Sequence, residues 1–150
     1  MANFNYVTLR DTLHTAIVAQ IPDAYKYPPG DQEMTRNTTD DVYEQVWLSE
    51  FDGSRDIETF GPSGLRDDSV DLSGTILVES PGKGDAAASN AETRTQTLLN
   101  LVETAVVADD ELGGAALVAY ISGWESTNGA SERGRACQLE FTVTIEAHNG

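Results

Sequence analysis

Ala136-Cys137-Gln138-Leu139-Glu140-Phe141-Thr142-Val143-Thr144-Ile145-Glu146-Ala147 decides how the rest of the chain is read. Its residues alternate without a break. Cys137, Leu139, Phe141, Val143 and Ile145 share one face, and Gln138, Glu140, Thr142, Thr144 and Glu146 share the other. A period of two marks a strand with one buried face and one wet face.

Working outward, the same period recurs upstream. Val70, Leu72, Ile76 and Val78 alternate with Asp71, Ser73, Thr75 and Glu79. Gly74 falls on the apolar side, where a bulge or a close crossing is expected. Residues 43–51 are rich in β-formers, and Asp52-Gly53-Ser54 after them reads as a turn. Residues 57–60 would be the returning strand, closed by Gly61-Pro62-Ser63-Gly64. Residues 117–124 read as a further strand, with a polar hairpin tip at 126–135 before the last one.

Two segments break the period of two. Leu9, Leu13, Ala16, Ile17 and Gln20 fall at helical spacing, which predicts a helix over 9–20. Thr8 can cap its start, Asp11 suits the dipole there, and Pro22 ends it. The second and longest helix is predicted over 91–108, with Ser89 and Glu92 as a capping box. Leu98, Leu101, Val102 and Ala105 form its stripe, widened by Leu99, Val106 and Val107, an arc that suggests burial on more than one side. Residues 25–41, with Pro28-Pro29-Gly30, read as an irregular connector or arm. The order is helix, strands, helix, strands. It predicts one α+β domain over 1–150, with a mostly antiparallel sheet of about five strands and two main helices.

The size supports this. A chain of 150 residues buries ~70% of its unfolded surface, enough to fold without staples. With 39% apolar and 23% charged residues it is not a disordered acidic tail. One cysteine excludes an intrachain disulfide framework. The longest apolar run, residues 115–121, is too short to cross a bilayer, and the opening Met1-Ala2-Asn3-Phe4-Asn5 is polar, unlike a signal segment. A soluble protein is expected.

The net charge is −16, from 25 acidic and 9 basic residues, and only Lys26 and Lys83 are lysines. Nucleic-acid backbones are held by Lys and Arg that replace counterions, so a broad nucleic-acid interface is not expected. Two readings account for the charge. One is adaptation to molar salt, where the Debye length shrinks to about 3 Å. The other is an acidic protein from a GC-rich genome, which also favours Arg over Lys.

Catalytic patterns fail one by one. Around Lys83 a phosphate-binding P-loop would need Gly and Ser or Thr where Leu77 and Gly84 stand. Gly61-Pro62-Ser63-Gly64 has the wrong spacing for a nucleophile elbow. Cys137 lies on the apolar face of its strand and reads as a small hydrophobe. His14, three residues after Asp11, reads as a surface contact, and His148 as a tail residue. One cysteine and two distant histidines make no zinc site. The clusters Asp67-Asp68-Asp71 and Asp109-Asp110-Glu111 lack the EF-hand spacing and read as solvated surface. No catalytic, metal or cofactor site is predicted.

Five segments carry a resemblance. They are the opening helix Thr-Leu-Arg-Asp-Thr-Leu-His-Thr-Ala-Ile at 8–17, the strand Gln45-Val46-Trp47-Leu48, and the strand near residue 70 that leads to a capped helix with Thr97-Leu98-Leu99-Asn100-Leu101-Val102. The closing strand at 135–147 completes them. In length and element order the chain resembles the tail terminator, or tail-completion, proteins of long-tailed bacterial and archaeal viruses. The acidic stretch 31–41 and the extreme charge depart from bacterial members.

That resemblance implies a non-enzymatic virion protein of the tail, assembled in the host cytoplasm. Its subunits would form a homohexameric ring on the head-proximal end of the tail tube, stop tube polymerisation and present a surface to the neck or connector protein. DNA would pass through the bore without being specifically bound, and no membrane is implied. Among so few cations, Arg133 and Arg135 at the hairpin tip and Arg55 in the first turn are the expected contacts to acidic surfaces of neighbouring subunits or partners. Solvated turn residues are the plain alternative. A neck or head–tail connector component is the rival within the class, and a small acidic ligand-binding or enzymatic domain of a halophile is the rival outside it.

Overall fold

The alternating run at 136–147 sits inside the longest ladder of the sheet. A computed structural model describes residues 5–56, 66–109, 112 and 118–149. Among these residues seven elements follow one another: α1 (Tyr6–Gln20), β1 (Thr35–Asn37), β2 (Val42–Asp56), β3 (Arg66–Pro81), α2 (Asp85–Ala108), β4 (Val118–Ser131) and β5 (Gly134–Asn149). The strands form one sheet in the order β1-β2-β3-β5-β4, antiparallel throughout. The fold is α+β, as the periodicities predict.

β3 and β5 pair along their whole length, from Arg66 opposite Asn149 to Pro81 opposite Gly134. Leu72, Ile76 and Val78 from β3, and Cys137, Leu139, Phe141, Val143 and Ile145 from β5, are buried together in one core, and Val70 is buried as well. Both helices cover this face. α1 contributes Leu9, Leu13 and Ile17 to the core, and α2 contributes Ala91, Leu98, Leu99, Val102, Ala105 and Val106. The wide arc of α2 has two covers within the chain, the sheet and α1. Val107 lies outside that arc, 69% exposed.

Gly74 holds the centre. It pairs with Leu48 on one side and Phe141 on the other, and Phe141 in turn faces Trp124 across β4. A Cβ at Gly74 would collide with the Phe141 ring, so the absent side chain is the space the ring occupies. This is the close crossing expected there.

Several boundaries differ from the sequence reading. Asp52-Gly53-Ser54 is no turn: these residues continue β2 and pair with Asp71, Val70 and Ser69. A β-bulge between Leu48 and Phe51 shifts the alternation, and the long partner strand outweighs local turn preference. The expected strand 57–60 and the Gly61-Pro62-Ser63-Gly64 closure lie outside the described residues. α1 starts at Tyr6, and its cap is Asn5, whose side chain accepts from the Thr8 amide at 3.1 Å; Thr8 is already helical. α2 starts at Asp85 after Gly84, so Ser89 and Glu92 lie within the helix and make no capping box. The run Ala86-Ala87-Ala88 favours helix strongly enough to extend it by more than a turn. β4 runs on to Ser131, and the broad tip 126–135 narrows to Glu132-Arg133 between Ser131 and Gly134. Gly134 has φ +144, and a side chain there would strike the carbonyls of Ser80 and Gly82.

The expected irregular arm is partly ordered against the sheet. Tyr25 forms a parallel bridge with Trp47, with N–H to Val46 carbonyl 2.8 Å and the Leu48 N–H returning to Tyr25 carbonyl at 3.3 Å. Further on, β1 pairs with residues 42–44 of β2. Arg10 of α1, 8% exposed, donates to the Lys26 carbonyl at 2.8 Å and to the Ser49 carbonyl, and stacks on Tyr27 with 4.5 Å to the ring centroid. Arg94 of α2 fastens the other end, with Nε 2.7 Å and Nη2 3.0 Å from the Glu44 carboxylate. That bidentate hydrogen bond holds the Arg94 guanidinium above its ordinary pKa against the opposing effect of burial.

Candidate partner interface

The three arginines expected to meet partners do not converge. Arg133 and Arg135 lie at the β4–β5 turn, beside the end of β2 marked by Tyr43. Arg55 is twelve residues further along β2 from Tyr43, opposite Asp68. At about 3.3 Å per residue that is roughly 40 Å away.

At the hairpin end the cations are already engaged. The Arg133 Nη1 is 3.0 Å from Glu79 Oε1, and its guanidinium lies 4.4 Å from the Tyr43 ring centroid. Arg135 Nε donates to the Lys83 carbonyl at 2.9 Å, tying the loop before α2 to the start of β5. Lys83, Ser131, Glu132, Arg133 and Arg135 line an open cavity of about 340 Å³. The Ser131 Oγ there is buried with no hydrogen-bond partner. The sequence reading did not join Lys83 to the two arginines, because the contact runs across 52 residues. Carboxylates of Glu79, Glu132 and Asp85 accompany the three cations, so this end is not a strong positive patch.

The second feature is the β4 edge, which sequence reading missed. β4 ends the sheet, and among the described residues nothing pairs with its outer side. Residues 122–130 are all exposed, and Trp124 is 57% and Tyr120 42% exposed. Register places Trp124 opposite Phe141, on the helix side, and Tyr120 opposite Thr144, on the bare side. Between β4 and α2 runs a groove of about 470 Å³ with Glu92, Gln96, Trp124, Ser126, Cys137 and Leu139 in its walls. Asn128 donates to Glu92 across it at 2.9 Å.

The single cysteine and His14 have structural surroundings. Cys137 is buried at the groove floor, and burial pushes its thiol up from the ordinary value. His14 Nε2 is 2.8 Å from the Ala24 carbonyl; a carbonyl only accepts, so Nε2 carries the hydrogen and pins the bend after α1. Among the described residues no three His, Cys, Asp or Glu side chains converge as metal ligands would. Among the described residues no helix is long and apolar enough to cross a membrane. On the bare side of the sheet, Thr144 donates to Asp71 at 2.8 Å and contacts Ser122 Oγ at 2.7 Å, a short polar chain at the β4 bulge.

No family profile matches the chain, and no curated protein matches it in sequence. Among solved structures, a chain from the virion of a native gene transfer agent particle is similar at 12% identity and a TM-score of 0.42, covering 97% of this chain and 100% of that one.

Proposed function

We propose that this protein is a structural component of a tailed virus-like particle and, more narrowly, a tail terminator. In this reading copies form a ring, a hexamer, on the head-proximal end of the tail tube, where they stop polymerisation and receive the neck. The observation that carries the reading is the element order: an opening helix, strands, a long central helix and a closing hairpin, folded into one antiparallel sheet with both helices on one face. That is the subunit architecture the resemblance implies.

Charge supports it. The bare face of the sheet carries Asp52, Asp71, Glu140 and Glu146, and carboxylates repel the phosphates of passing DNA. A bore made of such a face would let DNA slide without adhering. The protein acts as a part of the particle, with no chemistry of its own.

The test is electron microscopy of the purified protein in molar salt, alone and mixed with tail-tube ends. Open rings, or density capping one end of the tubes, are the expected result. Monodisperse monomers that ignore the tubes would overturn the reading in favour of a connector or ligand-binding role. Replacing Arg133 and Arg135 with Gln is expected to weaken ring formation; unchanged rings would remove both from the interface.

A further inference from the structure

We propose that β4 is a docking edge that accepts an extended segment of a different protein as a sixth strand, and that this segment is cationic on one side and apolar on the other. The inference is independent of the ring reading.

A sheet edge presents a row of unpaired N–H and C=O groups, and proteins that must not associate blunt it with lysine, proline or a short strand. β4 has none of these. It is 14 residues long. Its sequence, Val-Ala-Tyr-Ile-Ser-Gly-Trp-Glu-Ser-Thr-Asn-Gly-Ala-Ser, holds no Lys, Arg or Pro and one charge, Glu125. A single bulge between Ile121 and Gly123 interrupts it, leaving the stretch from Gly123 to Ser131 in regular register with β5.

The surroundings define the occupant. An added strand points alternate side chains to the two faces of the sheet. On the helix side they meet the exposed Trp124 ring, which suits apolar side chains, beside a groove where Leu139 and Cys137 sit among Glu92, Gln96 and threonines. On the bare side they meet Glu125, directly opposite Glu140. Neither of these carboxylates forms an ion pair among the described residues, and like charges directly opposite each other destabilise a ladder. Cations at every second position of an incoming strand would relieve that repulsion. A second copy is the poorer occupant of this edge, because the sequence, with only nine basic residues, has no segment that alternates basic with apolar residues. Strand addition of this kind takes affinity from main-chain hydrogen bonds and specificity from alternate side chains.

The probe is a blocked six-residue peptide alternating lysine and valine, compared with a blocked peptide of the same composition in which three lysines precede three valines. Binding to the intact protein is followed by backbone amide NMR. The alternating peptide is expected to shift amides of residues 118–131 and to bind at least fivefold more tightly than the block peptide. Trp124→Ala should weaken it about tenfold, as for an aromatic anchor. Glu125→Gln should weaken it about two- to fivefold and reduce its salt dependence. Equal binding of the two peptides, shifts centred elsewhere, or no binding would overturn the proposal. Concentration-dependent self-association of the protein alone, abolished by Trp124→Lys, would also overturn it, by showing that a second copy takes the edge.

Discussion

The two edges of this sheet are finished in opposite ways. At the β2 edge, the Tyr25 bridge and the short β1 occupy the outer backbone groups of residues 42–48, and Arg10 reaches from α1 to Ser49. Lys26 pairs with Asp11 at 2.9 Å and Arg36 with Asp41 at 3.5 Å, so this edge is also laced with charge. At the β4 edge nothing is added, one residue in 14 is charged, and two aromatic side chains stand exposed. The sheet thus has one side covered along residues 42–48 and, among the described residues, one side left bare along β4. An open edge strand is a template for further pairing, so the two sides differ in what they offer an added strand.

The row Leu48–Gly74–Phe141–Trp124 ties the two edges together, and breaking it gives the largest expected effect. Phe141 is 1% exposed. Phe141→Ala is expected to cost about 3–5 kcal/mol, because the vacated ring space beside Gly74 stays empty. Denaturant unfolding would measure it, and a loss below 1 kcal/mol would mean that the crossing is not tightly packed.

Next comes the sealed edge. Arg10→Met removes two charge-assisted hydrogen bonds to half-buried carbonyls and a stacked ring, at a cost of about 2–3 kcal/mol. Amide hydrogen exchange should then rise at Tyr25 and Leu48, whose N–H groups close the bridge, while β4 amides stay as they were. Faster exchange throughout would show that Arg10 supports the whole core and not this edge.

The open edge should tolerate change. Trp124→Ala is expected to alter stability by less than about 1 kcal/mol, since the ring is already more than half solvated. A loss comparable to that of Phe141→Ala would place Trp124 in the core and remove the contrast between the edges.

The smallest effect is in pH. Cys137 holds its proton above the ordinary value of 9.0 because the thiolate would be buried. A group whose folded pKa is raised contributes fully below its unfolded value and loses that contribution as pH rises past it. Stability should therefore fall above about pH 9 by more in the parent than in Cys137→Ala, whose alkaline slope is shallower. Identical slopes would show that the thiol ionises alike in both states.

Where local pattern and long-range pairing agreed, the sequence was sufficient. Period two in 136–147 and 70–79 and helical spacing in α1 and α2 survive in the fold because each repeat reflects one buried face. The misplaced starts of α1 and α2 are local, whereas the missed features of the sheet are set by partners distant in the chain. Asp52-Gly53-Ser54 carries turn residues, yet β3 extends far enough to pair with it. Tyr25 lies in a stretch with no strand pattern, yet its amide and carbonyl fit the vacant side of β2. Arg133 and Arg135 stood out by rarity, while Glu79, Tyr43 and the Lys83 carbonyl, which hold them, do not show in any local spacing.

The sequence by itself determined the class of the fold, the two helices, the apolar faces of the central strands and the acidic surface. These follow from periodicity and composition, which each segment carries alone. The tertiary structure alone decided the strand order, the sealing of one edge, and the exposure of Trp124 on the other. Those depend on which strand ends the sheet, and that is fixed by pairings between residues far apart in the chain, where no local repeat records them.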